Sequence, residues 1–508
     1  MLERKIKNFP MENNLYQNIE KNAFKSPNRI AINYQNNVIT YSGFLKKIDL
    51  FVEYFTYDLK IKKGERIAIL VYNRTEFLSI FYTCAKLGII LVPINWRLTS
   101  YEIIHILQNV AAKYLFSDSD FSGTLKVLKT ETPKLNIINL DCIKFTKAIK
   151  YKKKCIKNYN LPLLIVYTSG TTGKPKGAVL SQIAIYYNIL NSINMHKFNS
   201  KSHVLTVIPL FHVGGLNIQT VPALHKGAQV TIHKKFEIYE TFKELKKGIH
   251  SHTVFVPTIL ELLLNNKNWD TSVFSSLKAI TTGSTIVSSD LIKAYEDKNI
   301  PIIQVYGSTE TAPIAICQKI SNDRFPFGTV GKVAKYNKAK IFDKDFNDTP
   351  VGAIGEIGIK GLNLFSYYWK DKYKSKHVFK NNWFMTGDYG KKDKKNQFYI
   401  VGRKENIIIS GGENIYPAEI EKILNKENNV VESAVFGIPD NKWQEIPIAF
   451  VKINSKSKFN LSKCKSNLKE KLASYKIPKN ILLIEDFPKN ALGKIDYKLL
   501  KEYYDSLK

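Results

Sequence analysis

Short apolar runs alternate with segments of helical periodicity through the middle of the chain. Between about residues 161 and 305, each run is followed by a stretch in which apolar residues recur every three or four positions. This alternation predicts a largely parallel sheet that is covered by helices. The predicted strands are LPLLIV (161–166), HVLTVIPL (203–210), AQVTI (228–232), HTVFV (252–256), LKAIT (277–281) and PIIQV (301–305), and the predicted helices follow Ser181, Thr258 and Asp290.

The rest of the chain divides into regions of different pattern. The block 66–94 again reads strand, helix, strand, whereas residues 328–400 contain GEIGIKG and many turn residues, which indicates β-structure. The sequence therefore predicts an α/β fold with a large N-terminal domain (1–401), made of mainly parallel sheets covered by helices plus a β-rich section. A hinge at 402–406 and a small mobile α+β C-terminal domain (407–508) are predicted to follow it.

Length and composition are those of a large folded protein without a membrane span. The 508 residues are 44% hydrophobic, which is enough to bury a sizeable core in more than one domain. No apolar run has the length of a membrane span, and the N-terminal residues lack the apolar stretch of a signal peptide. The five cysteines are scattered without metal-binding spacing. We therefore expect a cytoplasmic protein.

The formal net charge of +32 raises the question of a nucleic-acid partner. The basic residues are spread through the chain without interleaved aromatics, and only seven of the 76 are arginines. Base readout favours arginine, so this distribution argues against a nucleic-acid partner. At most, a weak attraction to anionic membrane surfaces is expected.

The stretch YTSGTTGKPKGAVLS (167–181) directly follows the first predicted strand of the middle region. Its glycines allow close backbone approach, its hydroxyls and loop N–H groups can bind anions, and its lysines add positive charge. A Walker loop is excluded because Pro175 stands where the Ser or Thr after the lysine would be and Thr168 where its first glycine would be. The stretch therefore predicts a polyphosphate-binding loop of another design.

Further candidate residues stand at strand ends and glycine turns. In YGSTE (306–310), Tyr306 can stack on a base, Thr309 can hydrogen-bond a phosphate and Glu310 can bind Mg²⁺. In TGDYG (386–390), Asp388 can accept hydrogen bonds from both ribose hydroxyls. Arg403 stands beside the predicted hinge, and KNALGKI (489–495) presents Lys494 on a glycine turn.

In their order and spacing, these motifs resemble the AMP-forming adenylate enzymes: acyl- and aryl-CoA synthetases, adenylation domains of peptide synthetases, and luciferases. The resemblance covers nearly the whole chain, from TYSGFLKK (40–47) to Lys494, and is closest to an acyl-CoA synthetase. It implies that Lys494, Glu310, Thr309 and His212 are catalytic, with Glu310 the Mg²⁺ ligand. The implied cofactor-binding residues are Thr168, Ser169, Gly170, Thr171, Thr172, Gly173, Lys174, Lys176, Gly283, Ser284, Thr285, Tyr306, Gly307, Asp388, Arg403, Gly411 and Gly412.

The resemblance also implies different roles for these residues. Lys494 would bridge the carboxylate and the α-phosphate during adenylation, and Gly411 and Gly412 would reach the thiol tunnel after a domain rotation. Segment 211–224 would line the acid pocket; it is mostly apolar and has no lysine or arginine to pair with a second carboxylate. The hinge departs from the family pattern, since Glu405 stands where Asp or Lys is usual, followed by Asn406.

The function expected from this resemblance is an ATP- and Mg²⁺-dependent acyl-CoA synthetase. A carboxylic acid, expected to be a fatty acid, would form acyl-AMP with release of pyrophosphate, and coenzyme A would then take the acyl group. The alternatives are a stand-alone adenylation enzyme loading a carrier protein, an o-succinylbenzoate– or aryl acid–CoA ligase and, more remotely, a non-catalytic nucleotide- or RNA-binding protein. The expected partners are the acid, ATP and CoA, with a carrier protein or a homodimer as further options.

Overall fold

A computed structural model describes residues 14–145, 154–168, 175–284, 287–321, 324–410, 413–441, 443–454, 459–490 and 493–507. The chain divides into two compact units. Unit 1 comprises Met1–Ala339 and Ile359–Phe384, and unit 2 comprises Lys340–Gly358 and Met385–Lys508. The hinge at 402–406 stays a prediction.

A nine-stranded sheet forms one half of unit 1. Its six central strands are parallel, and antiparallel strands complete both edges. In spatial order the strands are Lys332–Val333, Ile316–Cys317, Ile302–Tyr306, Ala279–Gly283, His252–Val254, His203–Thr206, Gln229–Ile232, Ile30–Tyr34 and Asn37–Thr40.

A seven-stranded sheet forms the other half of unit 1. Five of its strands are parallel, and two antiparallel strands follow at one edge. In spatial order they are Tyr367–Tyr368, Lys176–Ser181, Pro162–Thr168, Ile90–Pro93, Arg66–Leu70, Tyr114–Ser117 and Asn136–Asn139.

Helices connect the parallel strands of unit 1, as the alternating pattern predicted. The one that follows Ser181 begins there because the Ser181 hydroxyl accepts the backbone N–H of Ala184 at 3.2 Å. It ends at Lys197, which has a left-handed φ of 54°. The α-helices of this unit are Leu15–Lys25, Tyr41–Glu53, Thr75–Leu87, Ser100–Val110, Ser122–Glu131, Gln182–His196, Val213–Gly215, Val221–His225, Ile238–Leu245, Pro257–Leu264, Ser289–Glu296 and Lys372–His377, with π-helical turns at Tyr54–Asp58 and Leu216–Thr220.

The predicted strand HVLTVIPL is shorter than expected and ends at Thr206. The carbonyl of Ile208 accepts a hydrogen bond from the Asn73 side chain at 3.1 Å instead of from a neighbouring strand. The other predicted strands and helices of this region are confirmed in type, although the strand predicted at 252–256 ends at Val254 and the one predicted at 277–281 is Ala279–Gly283. Strand Ala279–Gly283 is buried at every position, as expected for a central strand covered on both faces.

Unit 2 contains a mixed five-stranded sheet with helices. Its strands are Glu413–Ile415, Ile408–Ser410, Gln444–Ile453 and Val430–Asp440, with Asn480–Leu483 paired to Gln444–Ile453. The helices are Pro417–Leu424, Leu461–Lys471 and Tyr497–Ser506. This is the α+β unit that the sequence predicted.

A further five-stranded sheet confirms the predicted β-rich section. Its strands are Asn337–Phe342, Gly355–Gly361, Trp383–Lys392 and Phe379–Lys380, with Phe398–Arg403 paired to Trp383–Lys392. The α/β fold class is thus confirmed. Among the described residues, no helix combines the length and the apolar character needed to cross a membrane.

Candidate active site

Two paired strands of unit 1 contain the first and last residues of the predicted phosphate-binding motif. Strand Pro162–Thr168 pairs antiparallel with Lys176–Ser181, and Thr168 is directly opposite Lys176. The two ends of the motif are therefore held together by the sheet. Gly177 is required in this pair, because a Cβ atom there would lie 2.7 Å from Cγ2 of Ile165. The predicted residues Ser169, Gly170, Thr171, Thr172, Gly173 and Lys174 lie outside the described residues.

The YGSTE motif leaves the carboxyl end of strand Ile302–Tyr306. A Cβ atom on Gly307 would lie 1.6 Å from the carbonyl oxygen of Pro313, so only glycine fits at this turn. Residues Thr309–Thr311 form a 3₁₀ turn, in which Thr309 is buried. The turn therefore fixes the position of Glu310 directly beyond the end of the strand, as the sequence predicted.

Glu310 has a hydrogen-bond partner that sequence reasoning missed. The hydroxyl of Tyr368 donates to Oε1 of Glu310 at 2.7 Å. Tyr368 pairs with Ala178 of the strand that begins at Lys176, and Nζ of Lys176 lies 5.9 Å from the centre of the Tyr368 ring. Tyr368 thus connects the Mg²⁺-ligand candidate to the strand that follows the phosphate-binding motif.

Gly283 and Ser284 lie beside this motif. The strand that ends at Gly283 runs parallel to the strand of Tyr306, with Gly283 opposite Val305. A Cβ atom on Gly283 would lie 2.3 Å from the Val305 carbonyl oxygen, so the close approach requires glycine. Ser284 continues with a left-handed φ of 78°. Thr285 lies outside the described residues.

His212 stands at the start of the helical segment 213–225. Its Nδ1 accepts the backbone N–H of Gly214 at 3.0 Å, which leaves the proton of the neutral ring on Nε2. Position 215 requires glycine, because a Cβ atom there would lie 2.2 Å from the Pro209 carbonyl oxygen. The ring of Phe211 packs edge-on against Trp96, with 6.1 Å between the centroids. The orientation of His212 is therefore fixed locally.

Unit 2 brings three predicted residues together. Asp388 and Arg403 are opposite each other in paired strands, and Nε of Arg403 lies 2.7 Å from Oδ1 of Asp388. The pKa of Lys494 is lowered by burial and by the positive charge of Arg403, and Asp388 opposes this shift. Gly493, with a φ of 76°, forms the turn before Lys494. Gly411 and Gly412 lie outside the described residues.

The carboxylate of Glu310 is better suited to a Mg²⁺ ion that is bound together with a nucleotide than to a metal ion held by protein side chains alone. Among the described residues, no cluster of three or more His, Cys, Asp or Glu side chains is arranged to hold a metal ion. Mg²⁺ in nucleotide sites keeps waters and phosphate oxygens and needs only one or two carboxylates. The single carboxylate of Glu310, fixed by Tyr368, is suited to that type of coordination.

Comparison with known proteins identifies the family. The model of the AMP-binding enzymes matches residues 19–369, and the model of their C-terminal domain matches residues 419–494. The chain belongs to the family of AMP-binding enzymes. The predicted resemblance is thereby confirmed, and the chain is an AMP-forming acid–thiol ligase that uses ATP, Mg²⁺ and coenzyme A.

Full-length relatives of this AMP-binding enzyme are CoA ligases. An indoleacetate–CoA ligase of Aromatoleum aromaticum is 36% identical over 94% of this chain and 95% of its own length. A 2-succinylbenzoate–CoA ligase of Bacillus subtilis is 28% identical over 94% of this chain and 96% of its own length. The structure of the Bacillus subtilis o-succinylbenzoate coenzyme A synthetase in complex with ATP and magnesium ion matches with a TM-score of 0.87 and 27% identity, over 96% of this chain and 99% of its own.

Proposed function

We propose that this ligase activates an aryl-substituted carboxylic acid and transfers it to coenzyme A. The observation that carries the proposal is the 36% identity, over nearly the full length of both chains, to a ligase named for indoleacetate. A feruloyl-CoA synthase of an Amycolatopsis species, 28% identical over 94% of this chain and 96% of its own length, is also named for an aromatic acid. The expectation of a fatty acid has no such support.

The proposed acid pocket contains segment 211–224. It has no charged side chain, and its only polar side chains are His212, Asn217, Gln219 and Thr220. A substrate with a second carboxylate would leave that charge without a cation in this segment, and a buried unpaired charge is costly. A monocarboxylic acid with an aromatic ring suits both this segment and the relative named for indoleacetate.

Most candidate residues are proposed to act in the first half-reaction, in which the acid attacks the α-phosphorus and pyrophosphate leaves. Both reactants are anions, so positive groups must offset their repulsion. We assign this role to Lys176 and Lys494, with Thr309 as a hydrogen-bond donor to phosphate and Glu310 as the Mg²⁺ ligand. Tyr306 would contact the base, and Gly283, Ser284 and Gly307 would line the adenine and acid sites.

Two residues of unit 2 are proposed to bind the ribose. The Asp388 carboxylate can accept from two vicinal hydroxyls, and Nε of Arg403 lies 2.7 Å from its Oδ1. In the second half-reaction the thiol of CoA displaces AMP, and Gly411 and Gly412 are assigned to its path. His212 is proposed to lie at the reacting carboxylate.

The test is a panel of acids with ATP, Mg²⁺ and CoA, scored by thioester formation and pyrophosphate release. Indole-3-acetate, phenylacetate and cinnamate are the aromatic members, octanoate and palmitate the fatty acids, and 2-succinylbenzoate the dicarboxylate. We expect an aromatic monocarboxylate to have the highest kcat/KM. Higher kcat/KM for a fatty acid or for 2-succinylbenzoate would overturn the proposal, and pyrophosphate release without thioester would point to a carrier-protein acceptor.

A further inference from the structure

Asn73 lies in the loop that follows strand Arg66–Leu70 of the seven-stranded sheet, and it is only 3% exposed. Both polar atoms of its side-chain amide pair with the backbone of distant segments. Nδ2 donates to the carbonyl of Ile208 at 3.1 Å and to the carbonyl of His233 at 3.1 Å, and Oδ1 accepts the N–H of Leu210 at 2.7 Å. One buried side chain thus holds three backbone groups that are 135 or more residues away in sequence.

These contacts join Asn73 to the carboxyl ends of two neighbouring parallel strands of the nine-stranded sheet. His203–Thr206 continues into loop 207–212, and Gln229–Ile232 continues into His233. In open α/β sheets, ligands bind beyond the carboxyl ends of the strands. Asn73 therefore connects the two sheets of unit 1 at the edge where ligand-binding loops are expected.

Loop 207–212 determines the position of His212, which is a candidate site residue. The backbone N–H of His212 donates to the carbonyl of Pro209 at 3.3 Å, so the two residues belong to one turn. The residues directly before and after Pro209 are the two of this loop that bond to Asn73. A displacement of the Asn73 side chain would therefore move the turn and His212 with it.

Aromatic contacts support the same loop. The ring of Tyr72, the residue before Asn73, lies 4.9 Å from the ring of Trp96, measured between centroids. Trp96 in turn packs edge-on against Phe211, the residue before His212, at 6.1 Å. Polar and aromatic contacts from the loop that carries Asn73 thus reach two consecutive residues at the start of the proposed acid pocket.

The loop that carries Asn73 is itself anchored by ion pairs of the next residue, Arg74. Its Nε lies 2.7 Å from Oε2 of Glu76, and its Nη1 lies 2.9 Å from Oδ2 of Asp118 and 3.0 Å from Oδ1 of Asp141. These three carboxylates hold the guanidinium on several sides. The side chain of Asn73 therefore extends from a fixed backbone and can serve as a support for loop 207–212.

We propose that Asn73 is a positioning residue for the first half-reaction, because it holds loop 207–212 so that His212 meets the reacting carboxylate. This inference rests on the proposed function, which places the acid at segment 211–224. An alkyl side chain at position 73 would leave three backbone groups without these partners, and buried backbone groups without partners are costly. The loop would then rearrange, and a misplacement of about 1 Å can reduce a rate by about 100-fold.

The experiment measures pyrophosphate release by Asn73→Ala with the acid that wild type uses best. We expect kcat/KM for the acid to fall by about 10- to 100-fold and KM for ATP to change by less than about threefold, because the loop belongs to the acid site. The matched control is Asn14→Ala, which changes another buried asparagine of unit 1, whose Nδ2 donates to the carbonyl of Ala85 at 2.7 Å. It should keep the wild-type kcat/KM. Equal losses in the two variants, or an unchanged kcat/KM in Asn73→Ala, would overturn the inference.

A double-mutant cycle asks whether Asn73 acts through His212. Residues that act through one another have effects that do not add, whereas independent residues have additive effects. In the His212→Ala background, we therefore expect Asn73→Ala to lower kcat/KM for the acid by less than about threefold. A loss as large as the one in the wild-type background would show that Asn73 does not position His212. A purely structural role that weakens the whole fold would not produce the expected coupling.

The outcome for Asn73 is separate from the outcome for the substrate class. If octanoate or palmitate is the best acid, the proposed aryl substrate has failed, and the effect of Asn73→Ala on that acid still decides the inference. If an aryl acid is best and Asn73→Ala leaves its kcat/KM unchanged, only the inference has failed. Should Asn73→Ala not fold, as judged by thermal melting, Asn73→Asp decides by the same criteria, because it keeps the acceptor for Leu210 and loses both donors.

Discussion

The hydroxyl of Tyr368 donates a 2.7 Å hydrogen bond to the carboxylate of Glu310, across 58 residues of sequence. Hydrogen bonds to charged groups are stronger than those between neutral groups, and this one fixes the orientation of the proposed Mg²⁺ ligand. Because Tyr368 does not itself contact the nucleotide in our proposal, we regard it as a positioning residue.

Tyr368→Phe is predicted to weaken adenylation through Glu310. Loss of a hydrogen bond to a charged group costs roughly 1.5–3 kcal/mol, so we expect the rate of acyl-AMP formation to fall by about tenfold or more and the Mg²⁺ requirement to rise. The measurement is pyrophosphate release as a function of Mg²⁺ concentration. The control is Tyr367→Phe, which removes the hydroxyl of the neighbouring residue. Equal effects of the two variants, or an unchanged Mg²⁺ requirement in Tyr368→Phe, would show that the contact does not position Glu310.

Some strands of this protein could be predicted from the sequence, and others could not. Strands such as Ile302–Tyr306 were predicted correctly because burial on both faces makes them mostly apolar. The strand Lys176–Ser181 was not predicted, since it begins inside a glycine-rich motif and depends on pairing with Pro162–Thr168. Tyr367–Tyr368 is a two-residue strand whose partner lies far away in sequence, so no local pattern signals it.

The candidate site was predictable to the extent that its residues lie in contiguous motifs. Glu310 and Asp388 stand next to glycines at strand ends or turns, where their chemistry can be read locally. The hydrogen bond from Tyr368 to Glu310 was not readable, because it joins side chains 58 residues apart in sequence. The same holds for the pairing of Asp388 with Arg403, which the antiparallel register creates.

The alkaline limit of adenylation is predicted to depend on Asp388. Lys494 must be protonated to serve as the cation of the first half-reaction, so the rate should fall as pH rises through its lowered pKa. Asp388 raises this pKa, and Asp388→Asn should therefore shift the alkaline limb of kcat for pyrophosphate release to lower pH at saturating ATP. The control is Asp486→Asn, a carboxylate of unit 2 that pairs with Lys452. A shift to higher pH in Asp388→Asn, or the same shift in both variants, would contradict this account.

The stability of unit 1 is predicted to fall in acid because of its buried histidines. Burial and the neighbouring His252 lower the pKa of His196 to about 3, and its Nε2 lies 2.8 Å from Oγ1 of Thr281. The folded state therefore keeps this ring neutral, while the unfolded chain takes up a proton near the ordinary value of about 6.5. The contribution of the neutral His196 ring to the free energy of unfolding is therefore complete above about pH 6.5 and declines as the pH falls towards 3.

His196→Gln should reduce this decline, by up to about 1.4 kcal/mol per pH unit below pH 6.5. Other buried histidines with a lowered pKa, including His203 and His252, will retain part of it. The measurement is the free energy of unfolding in urea at pH 7.0, 5.5 and 4.5. His105→Gln, which changes an exposed histidine, is the control. Parallel pH curves for wild type and His196→Gln would show that His196 is not responsible.

The final prediction concerns Lys494 and the proposed hinge, and asks whether the two half-reactions need different positions of the C-terminal domain. Lys494→Ala is expected to lose acyl-AMP formation but still convert supplied acyl-AMP and CoA to thioester, because the lysine is needed only where two anions meet. Proline fixes φ near −65°, so Glu405→Pro should make acyl-AMP and then stall, since the hinge can no longer absorb a backbone rotation. Lys404→Ala is the control at the same turn. Pyrophosphate release and thioester yield from synthetic acyl-AMP are measured for each variant. If folded Lys494→Ala loses both activities, or Glu405→Pro keeps full thioester turnover, a single position of the domain serves both steps.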